Sequence, residues 1–393
     1  MARRCGNVLV VVLVLCAAGC RRESRPKADP FAVDRLPAMK QLPDPFRLAG
    51  GVRVRSRADW RRRREEIKQL LARYQYGRMP PAPGKPVATV LSREQLPGGA
   101  EKRLVRLALG SARVQMHLGL IVPPGKGPFP TIVHVDHRMT FGVSIADEIA
   151  QRGYLVVGYD PNFLDPDEPK VLGPAQAAYP DHDWGTLAVW AWGAMRAVDY
   201  LVTLGQVDRR RIAVTGHSRS GKAALLAGAL DERFALVVPQ GSGCGGAATY
   251  RVLGERAESL PVITKSFPHW FHPRLRGFAG KEQRLPFDQH FLLALVAPRA
   301  LLTIDALGDL WANPLGTQQA HLAARPVYAF LGARERLGIF FRQGKHALAD
   351  EDWRTLLDFA DRVFFDKKPA GERHFDRLPF PDAPTAFSWT APD

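Results

Sequence analysis

A serine between small residues and cations stands where a strand should run into a helix. The stretch Gly216-His217-Ser218-Arg219-Ser220-Gly221-Lys222 follows an apolar, β-branched run over 211–215 and precedes an Ala/Leu-rich segment over 223–230. A serine at the apex of such a turn lifts its hydroxyl above the end of a sheet, within reach of a histidine. The same residues also spell G-x-x-x-x-G-K, the pattern of a loop that cradles phosphate. That loop needs a hydroxyl after its lysine to hold magnesium, and position 223 is alanine. The motif also falls late in the chain, behind several predicted strands. These two points favour the nucleophile over the phosphate loop.

A serine hydroxyl attacks poorly until a base removes its proton. In a sheet-top hydrolase the partners follow in the order serine, acid, histidine, at the ends of later strands. Asp309 follows the predicted strand 300–304, and His346 follows the predicted strand 337–341. Taken singly, an aspartate in a turn is ordinarily a turn former, and a histidine beside a strand is ordinarily a surface residue. Taken together, the order and the three strand ends make a relay of Ser218, His346 and Asp309. Asp305 is the reserve acid. The loop Asp136-His137-Arg138-Met139, where a second oxyanion donor could lie, is left unassigned.

The elements that must position these residues alternate between two periodicities. Helical spacing is expected over 60–76, with Asp59 as N-cap, and over 143–151, 187–204 and 352–365. Strands are expected over 87–91, 103–109, 114–122, 131–135, 154–159 and 235–239, besides those already placed. Such alternation implies an α/β fold: a mostly parallel central sheet covered by helices on both faces in three layers. Residues 241–289 mix periodicities and read as a cap-like insertion over one sheet end. The main domain is expected over 51–368, followed by a proline-rich tail over 369–393.

The N-terminus reads as an address. Arg3 and Arg4, an apolar run over 8–15, and Ala17-Ala18-Gly19 before Cys20 make a signal peptide over 1–20. A cysteine straight after small residues resembles the lipobox of bacterial lipoproteins, which implies lipid on Cys20 and attachment to the bacterial envelope. The alternative is an ordinary cleaved signal. Residues 21–50, rich in Pro, Arg and Asp, read as a tether. Mature Cys20 and Cys244 offer no disulfide framework once Cys20 is lipidated, so the core must hold the fold. The formal net charge of +16 favours polyanions: nucleic acid, anionic lipid or acidic polysaccharide. Export removes nucleic acid from that set of partners.

The chain resembles the glucuronoyl esterases of carbohydrate esterase family 15, in particular their bacterial branch. The family's nucleophile motif, G-C-S-R-x-G, is matched by residues 216–221 with histidine at 217 in place of cysteine. Further similar segments are Trp190-Ala191-Trp192-Gly193, Ser242-Gly243-Cys244-Gly245-Gly246-Ala247, Lys265-Ser266-Phe267-Pro268-His269-Trp270-Phe271, Asp309-Leu310-Trp311-Ala312-Asn313-Pro314 and Gly344-Lys345-His346. The resemblance implies an α/β-hydrolase fold without metal or other cofactor. It implies cleavage of the ester between the 4-O-methyl-glucuronic acid of xylan and an alcohol of lignin. It also implies that Arg219 stabilises the oxyanion, that Lys222 and Trp311 contact the sugar, and that Trp270 lines the site or the cap core. One departure stands out. Many members carry a catalytic glutamate just before the Ser-Gly-x-Gly-Gly turn, and here that position is Gly241. The acid is then expected from Asp309. Two alternatives follow: an esterase for acetyl groups on xylan, and a lipid-anchored carbohydrate-binding homologue impaired in catalysis.

Overall fold

The computed structural model describes residues 32–110, 114–137, 143–368 and 374–392. The expected signal peptide, the lipidation site Cys20, and Arg138 and Met139 of the unassigned loop lie outside these residues.

The chain first forms helix α1 (Arg57–Leu71), which ends in one wider π turn over Ala72–Tyr76. The observed N-cap of α1 is Ser56 rather than Asp59; the Ser56 hydroxyl accepts from the Asp59 amide at 3.1 Å. Asp59 instead accepts from the Arg55 amide and the Ser56 hydroxyl, a reciprocal arrangement that satisfies the open helix end. Strands β1 (Val87–Gln95), β2 (Glu101–Leu109) and β3 (Val114–Val122) then form an antiparallel meander. The remaining elements are β4 (Phe129–Val135), α2 (Ala146–Gln151), β5 (Leu155–Tyr159), α3 (Pro174–Ala178), α4 (Thr186–Leu201), β6 (Val207–His217), α5 (Arg219–Leu230) and β7 (Leu236–Gln240). After the insertion come α6 (Leu260–Ser266), α7 (His290–Val296), β8 (Ala300–Ala306), α8 (Pro314–Phe330), β9 (Leu337–Arg342) and α9 (Asp350–Phe365).

All nine strands join one sheet in the order β1-β2-β3-β5-β4-β6-β7-β8-β9. The pairings from β5 through β9 are parallel. Parallel strands deliver their C-terminal ends to one edge, so the loops after β6, β7, β8 and β9 meet there in spatial order. Two apolar clusters, one on each face, enclose the sheet. The larger contains α4, α5 and α7; the smaller packs α9 with Trp353, Leu356 and Phe359 against β7 and β8. Helix α4 is buried along nearly its whole length, and the Trp190 indole donates to the Asp165 carbonyl at 2.8 Å. Burial of such large rings is a main stabilising term here, where the one cysteine among the described residues, Cys244, is free.

One segment differs from expectation. Leu42, Phe46 and Leu48, within the expected tether, are buried, and Phe46 packs against Trp60 and Phe330. The described part of the tail returns to the body: Phe375 packs on Phe359, and Trp389 stacks on His290. Among the described residues no helix is long and apolar enough to cross a membrane.

Candidate active site

The turn after β6 is as tight as the sequence implies. Ser218 has φ 58° and ψ −126°, a sparsely populated backbone conformation for a residue with a side chain. Such strain costs about 1–3 kcal/mol and persists only where the surroundings enforce it. They do so here. A Cβ on Gly216 would stand 2.5 Å from the Ser220 carbonyl oxygen, and one on Gly221 would stand 2.8 Å from the Gly216 carbonyl oxygen. The Ser218 amide donates to the Gln240 carbonyl of β7 at 2.9 Å, which ties the elbow to the neighbouring strand. Arg219 opens α5, so its amide is one of the N–H groups without an intrahelical acceptor.

The residues expected to form the relay meet. His346 Nε2 lies 3.0 Å from Ser218 Oγ, and His346 Nδ1 lies 2.5 Å from Asp309 Oδ2. A carboxylate facing Nδ1 fixes the proton on that nitrogen and leaves Nε2 free to accept from the serine. Asp309 is buried, and its other oxygen accepts from the Ala312 amide at 3.3 Å. Asp305, the reserve acid, lies lower on β8. It is fully buried, and burial pushes its carboxyl up to about 7, with Asp309 and Asp352 adding to the shift and Thr317 opposing it. It makes no hydrogen bond to His346.

The loops carrying acid and base are bonded to each other. The Leu307 amide donates to the Arg342 carbonyl and the Gly308 amide to the Gly344 carbonyl, both at 2.9 Å. The Arg342 guanidinium spans the histidine loop: it donates to the carbonyls of Gln343 and Ala347 and pairs with Asp352 at 2.7 Å.

The cations beside Ser218 are held by partners that sequence reasoning did not find. Arg219 pairs with Asp167, which also accepts from Trp270 Nε1 at 2.5 Å and faces His269 Nε2 at 2.9 Å. Burial alone would raise the Asp167 pKa, but His269, Trp270 and Arg219 together drive it well below the usual carboxylate range. Lys222 is buried, donates to the Ser242 carbonyl at 2.6 Å and faces Glu258 at 3.6 Å. Burial raises the Glu258 pKa against the pull of Lys222. The Glu258 amide donates to the Trp311 carbonyl at 2.9 Å, and the Trp311 side is open, with half of that residue exposed. Trp270 is only 4% exposed, stacks on Phe267 with centroids 3.8 Å apart, and lies 5.8 Å from both Arg219 Cζ and Lys222 Nζ. Asp167 and Glu258 sit in irregular loops far from residue 218 along the chain. No spacing signal connects them to the motif.

This arrangement can do one kind of chemistry well. A hydroxyl with a base, a base with an acid, and a guanidinium next to the nucleophile together suit attack on an ester carbonyl. The buried lysine–glutamate pair and the open indole suit a polyhydroxylated ring.

Known proteins share this architecture. A family model described as glucuronyl esterase, fungi, matches residues 105–332. A carbohydrate esterase from an unidentified prokaryote is 33% identical over 81% of this chain and 89% of its own length. A 4-O-methyl-glucuronoyl methylesterase of Podospora anserina is 32% identical over 77% of this chain, which spans 63% of that enzyme. Among solved structures, a carbohydrate esterase family 15 glucuronoyl esterase from Caldicellulosiruptor kristjansonii superposes with a TM-score of 0.79 at 32% identity. That match covers 91% of this chain and 98% of the other.

Proposed function

Because the chain belongs to the glucuronoyl esterase family, carbohydrate esterase family 15 of the α/β-hydrolase fold, we propose that it is a serine carboxylester hydrolase for uronate esters of glucuronoxylan. The observation that carries this is the continuous Asp309–His346–Ser218 relay, at 2.5 and 3.0 Å.

In this mechanism Ser218 Oγ attacks the uronate carbonyl carbon as its proton passes to His346 Nε2. Asp309 stabilises the imidazolium that forms. The Arg219 guanidinium and the Arg219 amide at the start of α5 face the developing oxyanion. The C–O bond to the alcohol then breaks, and His346 returns the proton to the leaving oxygen. Water, deprotonated by His346, attacks the acyl-enzyme and releases the uronic acid and Ser218. Lys222 and Glu258 hold sugar hydroxyls, Trp311 offers its ring face to the pyranose, and Trp270 backs both cations. Two cations beside the serine, each held by a carboxylate partner, offer directed N–H donors that suit a hydroxylated uronate better than an acetyl group.

Turnover of benzyl glucuronate against release of acetate from acetylated xylan tests the reading. The expected result is faster turnover of the glucuronate, abolished in Ser218→Ala and lowered about 10⁴-fold in Asp309→Asn. Preference for the acetyl substrate overturns the substrate class. An unaffected Asp309→Asn overturns the acid. Binding of xylan fragments without any ester turnover would make the chain a binding protein.

The same proposal includes export and a lipid on Cys20, supported by the apolar run over 8–15 and the small residues before the cysteine. Labelled palmitate should enter the wild-type chain in a bacterial host and be absent from Cys20→Ser; equal labelling of both removes the anchor.

A further inference from the structure

His217 stands beside the relay at the end of β6, one residue before the nucleophile. Its ring centroid lies 4.6 Å from that of His346, with the planes tilted by 41°. Its other edge covers Gly241, at the end of β7. A Cβ at 241 would come within 3.2 Å of His217 Nε2 and 3.4 Å of its Cδ2. The same Cβ would be 3.8 Å from Asp309 Oδ2. Strand β7 lies between β6 and β8, so position 241 lies between the strand of the serine and the strand of the acid. A longer side chain there would enter the space that His217 and Asp309 now fill.

Beneath the ring is a cavity of about 10 Å³, lined by His217, Gln240, Asp305, Asp309 and Arg342 among others. That is room for roughly one water. Burial holds the His217 pKa down at about 4; the charges of His346, Arg342 and Lys222 act in the same direction and Asp309 opposes them. The ring is therefore neutral where a serine relay works. It adds no charge beside the imidazolium that the reaction forms, and it lines that cavity together with Asp309.

We propose that His217 is a positioning residue of the relay. Its ring keeps His346 in line with Ser218 and limits the water that can gather beside Asp309, while it covers Gly241, whose φ of 50° is itself one that a side chain rarely adopts. The inference rests on the serine-relay reading. Removing the ring joins its volume to the cavity that Asp309 already lines and lets more water gather there, which weakens the carboxylate's hold on the imidazole.

The test is steady-state hydrolysis of benzyl glucuronate as a function of pH, with thermal unfolding as a control for folding. His217→Ala is expected to lose about tenfold in kcat with KM changed less than about twofold, as for a misaligned catalytic group. The acid limb of its kcat/KM profile should move. His217→Phe, which keeps a flat ring, should regain most of the loss. Wild-type kcat and pH profile in His217→Ala overturn the proposal. Should His217→Ala fail to fold, His217→Phe is expected to stay within about twofold of the wild-type kcat, and a loss of about tenfold in that variant overturns the proposal. Wild-type turnover that Ser218→Ala abolishes establishes the relay separately, so an unchanged His217→Ala then counts against this inference alone. Absence of wild-type turnover brings down both.

Discussion

Asp167 shows how much a single carboxylate can organise at this site. It takes hydrogen bonds from the Arg219 guanidinium and the Trp270 indole, and faces the His269 ring. A guanidinium on a free helix end would sample many rotamers; pinned on one side, it presents its remaining N–H groups in a fixed direction. In the proposed mechanism this aims Arg219 at the oxyanion. Arg219→Ala should therefore lose roughly 10²–10³ in kcat, the cost of an oxyanion donor, and Asp167→Asn roughly tenfold, since the donor is kept and only its aim is lost. Steady-state kinetics on benzyl glucuronate reads both. An Asp167→Asn enzyme with the wild-type kcat removes the aiming role. Neither Asp167 nor Glu258 was legible in the sequence, because each reaches the site from a loop with no periodicity. Ser218, Arg219 and Lys222 were legible because one turn of chain carries all three.

At the scale of elements, the β9–α9 connection decides where the base stands. The Arg342 guanidinium is bonded to two carbonyls of the loop and to Asp352, and both side chains of that pair are buried. Asp352 also accepts from the Ala349 amide at 2.7 Å, at the start of α9. Loop, strand end and helix start thus share one buried ion pair. Removing one partner leaves an uncompensated charge inside, at a cost of about 3–5 kcal/mol. Arg342→Ala should show that loss in chemical denaturation and lower kcat besides, because His346 rides on the loop. Unchanged stability would mean that the loop is held by other contacts. Most elements could be read from periodicity, with ends shifted by a few residues. Helix α8 could not. It buries Gln318, Gln319 and His321 and contains Pro326 within its length. Polar residues facing inward and a proline erase the apolar stripe by which a helix is recognised. Helix α7 fails for the opposite reason: all seven of its residues are buried, so no polar face marks its period.

At the scale of the whole molecule, the buried titratable groups set the response to acid. Burial holds His217 and His290 at about 4 and His321 at about 3, against an unfolded value near 6.5. The unfolded chain therefore binds more protons than the native one between those values, and stability falls as pH falls from about 6.5 to about 4. Asp305, raised to about 7, acts in the other direction, as do Glu258 and Asp165, which burial also raises; His272, lowered by burial, adds to the three histidines, whose shifts are the larger. Thermal unfolding across that range should show a melting temperature that drops with acidification. A flat or rising profile would mean that these rings are hydrated in solution. Periodicity and residue types alone gave away the α/β alternation and the strand ends that carry Ser218, Asp309 and His346, because such signals are local to a few turns of chain; that position 241 lacks an acid was visible only through the resemblance to the family. Long-range packing is what sets Asp309 rather than Asp305 against His346, Asp167 and Glu258 against the two cations, and His217 over Gly241. Those contacts join segments far apart in the chain, and they exist because parallel strands bring their ends to one edge of the sheet.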